Sequence, residues 1–224
     1  MASDGVCRAR YHDADWVRGS IYQWRIEIVT LKKIPIDSGD ALLIVDVQND
    51  FLPGGSLAVK HGEEVVPLLS RYIELFQAKG LPIFATRDWH PPNHCSFQEQ
   101  GGIWPRHCMA GTQGAAFPSR LALPPNACLI SKGVLPEKDA YSGFEGTELD
   151  SLLRAASVRR LFVGGLATDY CVLNTVKDAR LRNYETFLLA DSVRAVNVHP
   201  EDEREAMEEM MSLGVELTEI EALE

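Results

Sequence analysis

Apolar and polar positions along this chain switch repeatedly between two periods. Ala41-Leu42-Leu43-Ile44-Val45 is a short apolar run without alternation, the pattern of a central parallel strand buried on both faces. From Val65 to Lys79 apolar residues recur at helical spacing, and Gly80 stops the segment. Further apolar runs at 82–86, 127–130, 160–165 and 186–190 read as strands, with 215–217 a short last one. Between them, 147–156, 170–182 and 201–213 read as helices. Strand and helix alternate, so the pattern predicts an α/β fold: a doubly wound, mainly parallel sheet with helices on both faces, in three layers. Residues 1–37 differ. They carry mixed charge and aromatics without long periodicity, and only 25–31 alternate like an edge strand. The expected organisation is an N-terminal extension of unknown role, 1–37, and one domain, 38–224.

Composition narrows the function classes. The chain of 224 residues carries a formal net charge of −10 and no Lys/Arg cluster, which argues against nucleic acid and anionic membrane surfaces as partners. No apolar run is long enough to span a bilayer, and Met1 to Arg10 does not read as a secretory signal. Cys7, Cys95, Cys108, Cys128 and Cys171 show no framework spacing, and an odd number of thiols points to a reducing compartment. The expectation is a cytoplasmic protein, with the nucleus left open.

The chemistry-bearing residues fall at strand ends and in one long loop. Asp46 directly follows the first apolar strand, where a carboxylate is costly unless paired or used. Lys132 follows the strand at 128–130. Cys171 sits where Gly164-Gly165 leads into a helix, and a helix N-terminus favours a thiolate. Each also has an ordinary explanation: a turn cap, a solvated lysine, a small core residue. The loop from Arg87 to about Arg120 is too rich in aromatic and ligand-type residues for a plain linker. Asp88 and His90 project to one side of an extended segment, and His94 and His107 follow. A carboxylate with two imidazoles is a recognised metal-ligand set that leaves positions open.

Jointly, four stretches carry a resemblance. They are Asp46-Val47-Gln48-Asn49-Asp50-Phe51 with Pro53-Gly54-Gly55-Ser56-Leu57, and Thr86-Arg87-Asp88-Trp89-His90-Pro91 with Asn93-His94-Cys95-Ser96-Phe97 and Trp104-Pro105-Arg106-His107-Cys108. Lys132-Gly133 with Asp139-Ala140-Tyr141-Ser142-Gly143-Phe144, and Gly165-Leu166-Ala167-Thr168-Asp169-Tyr170-Cys171-Val172, complete them. In this order they resemble the nicotinamidase branch of the isochorismatase-like cysteine hydrolases, over roughly residues 40 to 218.

The resemblance implies hydrolysis of nicotinamide to nicotinate and ammonia in NAD salvage, with pyrazinamide as a further substrate. It implies a triad of Asp46, Lys132 and Cys171, in which Lys132 favours the thiolate and Asp46 carries the proton. It places the oxyanion on the N–H groups of Ala167 and Cys171, with a cis peptide between Leu166 and Ala167. It implies one divalent metal on Asp88, His90 and His107 that binds the pyridine nitrogen; zinc is the expected ion, and iron or manganese suit the set too. The ring pocket it implies is Phe51, Leu57, Trp104, Tyr141, Ala167 and Tyr170. Some relatives add a ligand where Ser96 stands here, and His94 reads as a support for the metal shell. Gly143 stands where relatives often carry Ser or Ala, and the extension has no counterpart. Relatives include monomers and homo-oligomers. The competing readings are another hydrolase of the superfamily, whose other branches generally lack the Asp88, His90 and His107 set, and a catalytically silent metal-binding interaction module.

Overall fold

In a computed structural model of the chain, which describes residues 33–224, the strands are β1 (Asp40–Val45), β2 (Ile83–Asp88), β3 (Cys128–Lys132), β4 (Arg160–Leu166), β5 (Glu185–Arg194) and β6 (Glu216–Thr218). The helices are α1 (Val65–Ala78), α2 (Leu149–Ala155), α3 (Leu173–Leu181) and α4 (Asp202–Ser212). A π-helical turn, Thr168–Val172, runs directly into α3. One sheet holds the strands in the order β3-β2-β1-β4-β5-β6, and every pairing is parallel.

All six residues of β1 are buried because both faces of this strand are covered. Leu42 and Ile44 point into a cluster with Leu69, Tyr72, Ile73 and Phe76 of α1. Ala41, Leu43 and Val45 point into a second cluster built with α2, α3 and Met210 of α4. The helices therefore lie on both faces, as the alternation of periods predicts. The long segment between β2 and β3 adds Cys108, Ala115 and Leu121 to the α1 side.

The strand order reverses between β1 and β4, and in sheets of this kind a crevice opens outside the carboxyl ends at that point. Asp46, Asp88, Lys132 and Ala167 all lie at those ends.

The compact unit runs from Lys33 to Glu224. Its first residues are tied to its last: the N–H of Ile34 donates to Ala222 and that of Ile36 to Glu224. The edge strand expected at 25–31 lies outside the described residues. Among the described residues no helix is long and apolar enough to cross a membrane.

Candidate active site

The chain turns sharply after β1, and Asp46 takes a left-handed conformation there, with φ 47°. Its carboxylate is fully buried. Thr86 of β2 donates its hydroxyl to Asp46 Oδ1 at 2.7 Å. Lys132 ends β3 and is as deeply buried as Asp46. Its ammonium donates to Asp88 Oδ1 at 2.6 Å, to the carbonyl of Ala140 at 2.9 Å and to Cys171 Sγ at 3.4 Å. That uses all three of its N–H groups. Asp46 Oδ2 forms an ion pair with the same nitrogen at 3.0 Å and has no well-formed hydrogen bond of its own. Asp46 is thus held electrostatically while one oxygen stays free to receive a proton.

Burial sets the protonation states here. It works against the Lys132 ammonium, but Asp46, Asp88 and Cys171 outweigh it and hold Lys132 charged, well above the ordinary lysine range. Burial pushes the Asp46 carboxyl up, with Lys132 opposing and Asp88 reinforcing the shift. The Cys171 thiol is raised well above its usual value by burial, against the pull of Lys132 and with the push of Asp46 and Asp88. The sequence argument expected the helix N-terminus and Lys132 to favour a thiolate. Against that pull stand burial, the largest influence on the thiol, and then the two carboxylates that share the cation.

Asp88, His90 and His107 are all buried, and their ligand atoms lie within 4.8 Å of one another. His90 Nδ1 meets the Gly133 carbonyl at 2.9 Å, and His107 Nδ1 meets the Pro105 carbonyl at 2.8 Å. A carbonyl only accepts, so each ring carries its proton on Nδ1 and leaves an Nε2 lone pair. Burial pushes His90 down to about 3, which keeps that ring neutral. Two imidazoles held through Nδ1 and one carboxylate fit a divalent metal, in a set that leaves positions for a further ligand. Asp46, Asp88 and Cys171 form a second group within the same span, but the Lys132 ammonium already lies among them.

His94 stacks on His90 with ring centroids 4.0 Å apart. Its Nδ1 pairs with Ser96 Oγ at 2.7 Å and its Nε2 with the Lys138 carbonyl at 3.1 Å, so neither nitrogen is free for a metal. Ser96 is correspondingly engaged with His94. Cys95, Cys108, Cys128 and Cys171 are free thiols. Burial pushes the Cys108 thiol far up.

Trp104, Tyr141 and Tyr170 form one aromatic group. The Trp104 indole donates to the Tyr141 hydroxyl at 3.0 Å, and Tyr170 packs on Trp104 at 5.1 Å and on Tyr141 at 5.6 Å. Phe51 lies 5.8 Å from the His107 ring, and Leu57 packs on the core cluster to which Phe51 belongs. Ala167 precedes the π-helical turn that carries Cys171, and the Leu166–Ala167 peptide is cis. The first N–H groups of a helical segment lack intrahelical partners and point out of its end. The residues the sequence argument passed over are Thr86 and Gln48. A threonine in a strand and an amide after one have ordinary readings, and only contacts from distant segments distinguish them.

The family model for the isochorismatase domain matches residues 40–222. The nicotinamidase of Escherichia coli is 39% identical over 198 residues, which cover 79% of this chain and 93% of that protein. The pyrazinamidase of Pyrococcus horikoshii, solved in complex with zinc, is 48% identical with a TM-score of 0.78, over 81% of this chain and 99% of its own. PnC1 from L. infantum, solved in complex with nicotinate, is 38% identical with a TM-score of 0.78, over 86% and 98%. With this coverage and this identity, the chain belongs to the isochorismatase-domain family.

Proposed function

We propose that the protein hydrolyses nicotinamide to nicotinate and ammonia through a thioester on Cys171. One observation carries this reading. A buried ammonium touches a thiol at 3.4 Å and two carboxylates at 3.0 and 2.6 Å, and the nearer carboxylate also belongs to an Asp-His-His donor set. A nucleophile, a proton carrier and a metal-ligand set are thereby joined through one lysine. The similarity to the Escherichia coli nicotinamidase and to the zinc-bound and nicotinate-bound structures supports the choice of substrate and ion.

Cys171 Sγ attacks the carboxamide carbon as its proton passes to Oδ2 of Asp46. Burial raises the Asp46 carboxyl, which makes it a better proton acceptor than a solvated aspartate. The N–H groups of Ala167 and Cys171 receive the oxyanion. Asp46 returns the proton to the departing nitrogen, ammonia leaves, and a thioester remains. A water then gives one proton to Asp46 and its oxygen to the carbonyl carbon. The C–S bond breaks, Cys171 takes back the proton from Asp46, and the acid leaves as nicotinate, giving up the second water proton to solvent or to the released ammonia. Lys132 holds Asp46, Cys171 and Asp88 in register throughout.

Asp88, His90 and His107 would hold a divalent ion, zinc by preference with iron or manganese as alternatives, and when bound it supplies a Lewis-acid anchor for the pyridine nitrogen. Phe51, Leu57, Trp104, Tyr141, Ala167 and Tyr170 would enclose the ring. Pyrazinamide has the same carboxamide on a similar ring and is expected to react. The free thiols and the acidic composition suit a cytoplasmic enzyme that returns nicotinate to NAD salvage.

The test is ammonia release from nicotinamide by the zinc-loaded protein, beside Cys171→Ala and a chelator-treated sample. Loss of activity in both is expected. Activity that survives Cys171→Ala removes the nucleophile assignment. An inactive parent with zinc bound would redirect the search to another carboxamide.

A further inference from the structure

We infer that Gln48 is a positioning residue for the metal ligands, acting through the peptide of Asp88; this rests on the reading of Asp88, His90 and His107 as that site. The Gln48 side chain is fully buried. Its Oε1 accepts from the Asp88 N–H at 2.8 Å, and its Nε2 donates to the Asp88 carbonyl at 2.8 Å and to the Ala115 carbonyl at 2.9 Å. Both amide hydrogens are therefore used.

The reason lies in where β1 ends. Its register with β2 pairs Leu42 with Ile83, Leu43 with Phe84 and Ile44 with Ala85. The last main-chain bond across this pair runs from the N–H of Asp46 to the Thr86 carbonyl at 3.2 Å, after which the chain turns away. On its other side Asp88 is paired with Lys132 of β3. The Asp88 N–H and carbonyl facing β1 have lost their strand neighbour while still buried. The Gln48 carboxamide takes that place. It offers one donor and one acceptor to a single residue, as a strand neighbour does in an antiparallel hydrogen-bonded pair.

The consequence falls on the metal site. The Asp88 carboxylate must serve Lys132 with Oδ1 while Oδ2 faces His90 Nε2 at 3.7 Å, so its backbone cannot shift without spoiling one role. The third bond of Gln48 reaches the loop that follows His107. That loop is also held by main-chain bonds from Asn49 to Ala116 and from Asp50 to Gly114. Loss of the amide therefore falls mainly on Asp88.

The experiment measures zinc dissociation constants by competition with a chromophoric chelator for the parent, Gln48→Met, Gln48→Glu and His107→Ala. Methionine keeps the length and removes all three bonds. Glutamate keeps the acceptor for the Asp88 N–H and serves as the test if the methionine variant does not fold. The expected result is a 10–100-fold weaker affinity in Gln48→Met, the range typical of residues that orient ligands, and a loss in Gln48→Glu as well, whose second oxygen is set against the Asp88 and Ala115 carbonyls. Raising free zinc is expected to restore kcat, and because zinc also stabilises the native state, circular dichroism of the metal-free variants at the assay temperature must show them folded, which excludes a general folding defect. Affinities within about twofold of the parent, or a kcat deficit that zinc does not relieve, overturn the inference. If His107→Ala keeps the parent affinity, the metal-site reading fails instead, and the inference with it.

Discussion

Asp46 and Asp88 share Lys132, so the site holds two buried carboxylates against one ammonium. Removing the cation leaves both without a counter-charge. Lys132→Met is expected to destabilise the metal-free protein by about 3–5 kcal/mol, as for other broken buried pairs, and to abolish turnover; urea denaturation gives the first and ammonia release the second. A loss of stability below about 1 kcal/mol would mean that the carboxylates simply take up protons. Asp46→Asn separates proton transfer from binding. Asp46 has no role in holding the ring, so kcat is expected to fall by roughly 10²–10⁴ while KM stays near the parent value. A change confined to KM would move Asp46 from chemistry to binding. At this scale the sequence was legible where a charged or nucleophilic residue broke an apolar context, as at Asp46, Lys132 and Cys171. It assigned no role to Thr86 and Gln48, although both lie in the stretches that carry the resemblance, because their contacts are to partners 40 residues away.

Gly165 shows what an element boundary demands. It is the penultimate residue of β4, with φ +132°, a region that L side chains rarely adopt, and faces Val45 across the β1–β4 pair. A Cβ there would sit 2.7 Å from the Val45 nitrogen and 2.8 Å from its carbonyl carbon. Neither can yield, because β1 is buried on both faces. Gly165→Ala is therefore expected to destabilise the protein by about 3 kcal/mol, read as a lower urea midpoint; an unchanged midpoint would show that β4 has slack at its end. Apolar runs and helical spacing made β1, β2 and α1 readable to within a residue or two. β5 runs on to Arg194, past the expected end near 190, because Asp191 and Ser192 break the apolar pattern. Their polarity is satisfied within the fold: Asp191 accepts from the Tyr72 and Ser192 hydroxyls and from the Ile220 N–H. The π-helical turn at Thr168–Val172 begins two residues before the helix expected at 170–182 and was not told apart from it, because about one extra residue per turn barely disturbs apolar spacing.

The molecule places its chemistry where strand order reverses, with the acid from the end of β1, a ligand from β2, the cation from β3 and the nucleophile after β4. These residues are distant in sequence, and only the closed sheet brings them together. His107 comes from the long segment between β2 and β3, which has no helix longer than a single short turn. An ion bound by Asp88, His90 and His107 would therefore fasten that segment to the sheet, and the unfolded chain would offer no equivalent site. Binding to the native state alone raises stability by about 2.7 kcal/mol when free zinc is 100 times its dissociation constant. For a domain of this size that is a rise in Tm of roughly 5–10 °C. The metal-free protein is thus expected to melt later as zinc is added, by an amount that grows with the logarithm of its concentration. His107→Ala should abolish the shift, on a metal-free Tm lowered by the loss of a buried ring that packs on Phe51, His90 and Phe97. Equal shifts in parent and variant would place the zinc elsewhere, and the coupling of this loop to the sheet would then have to come from packing alone.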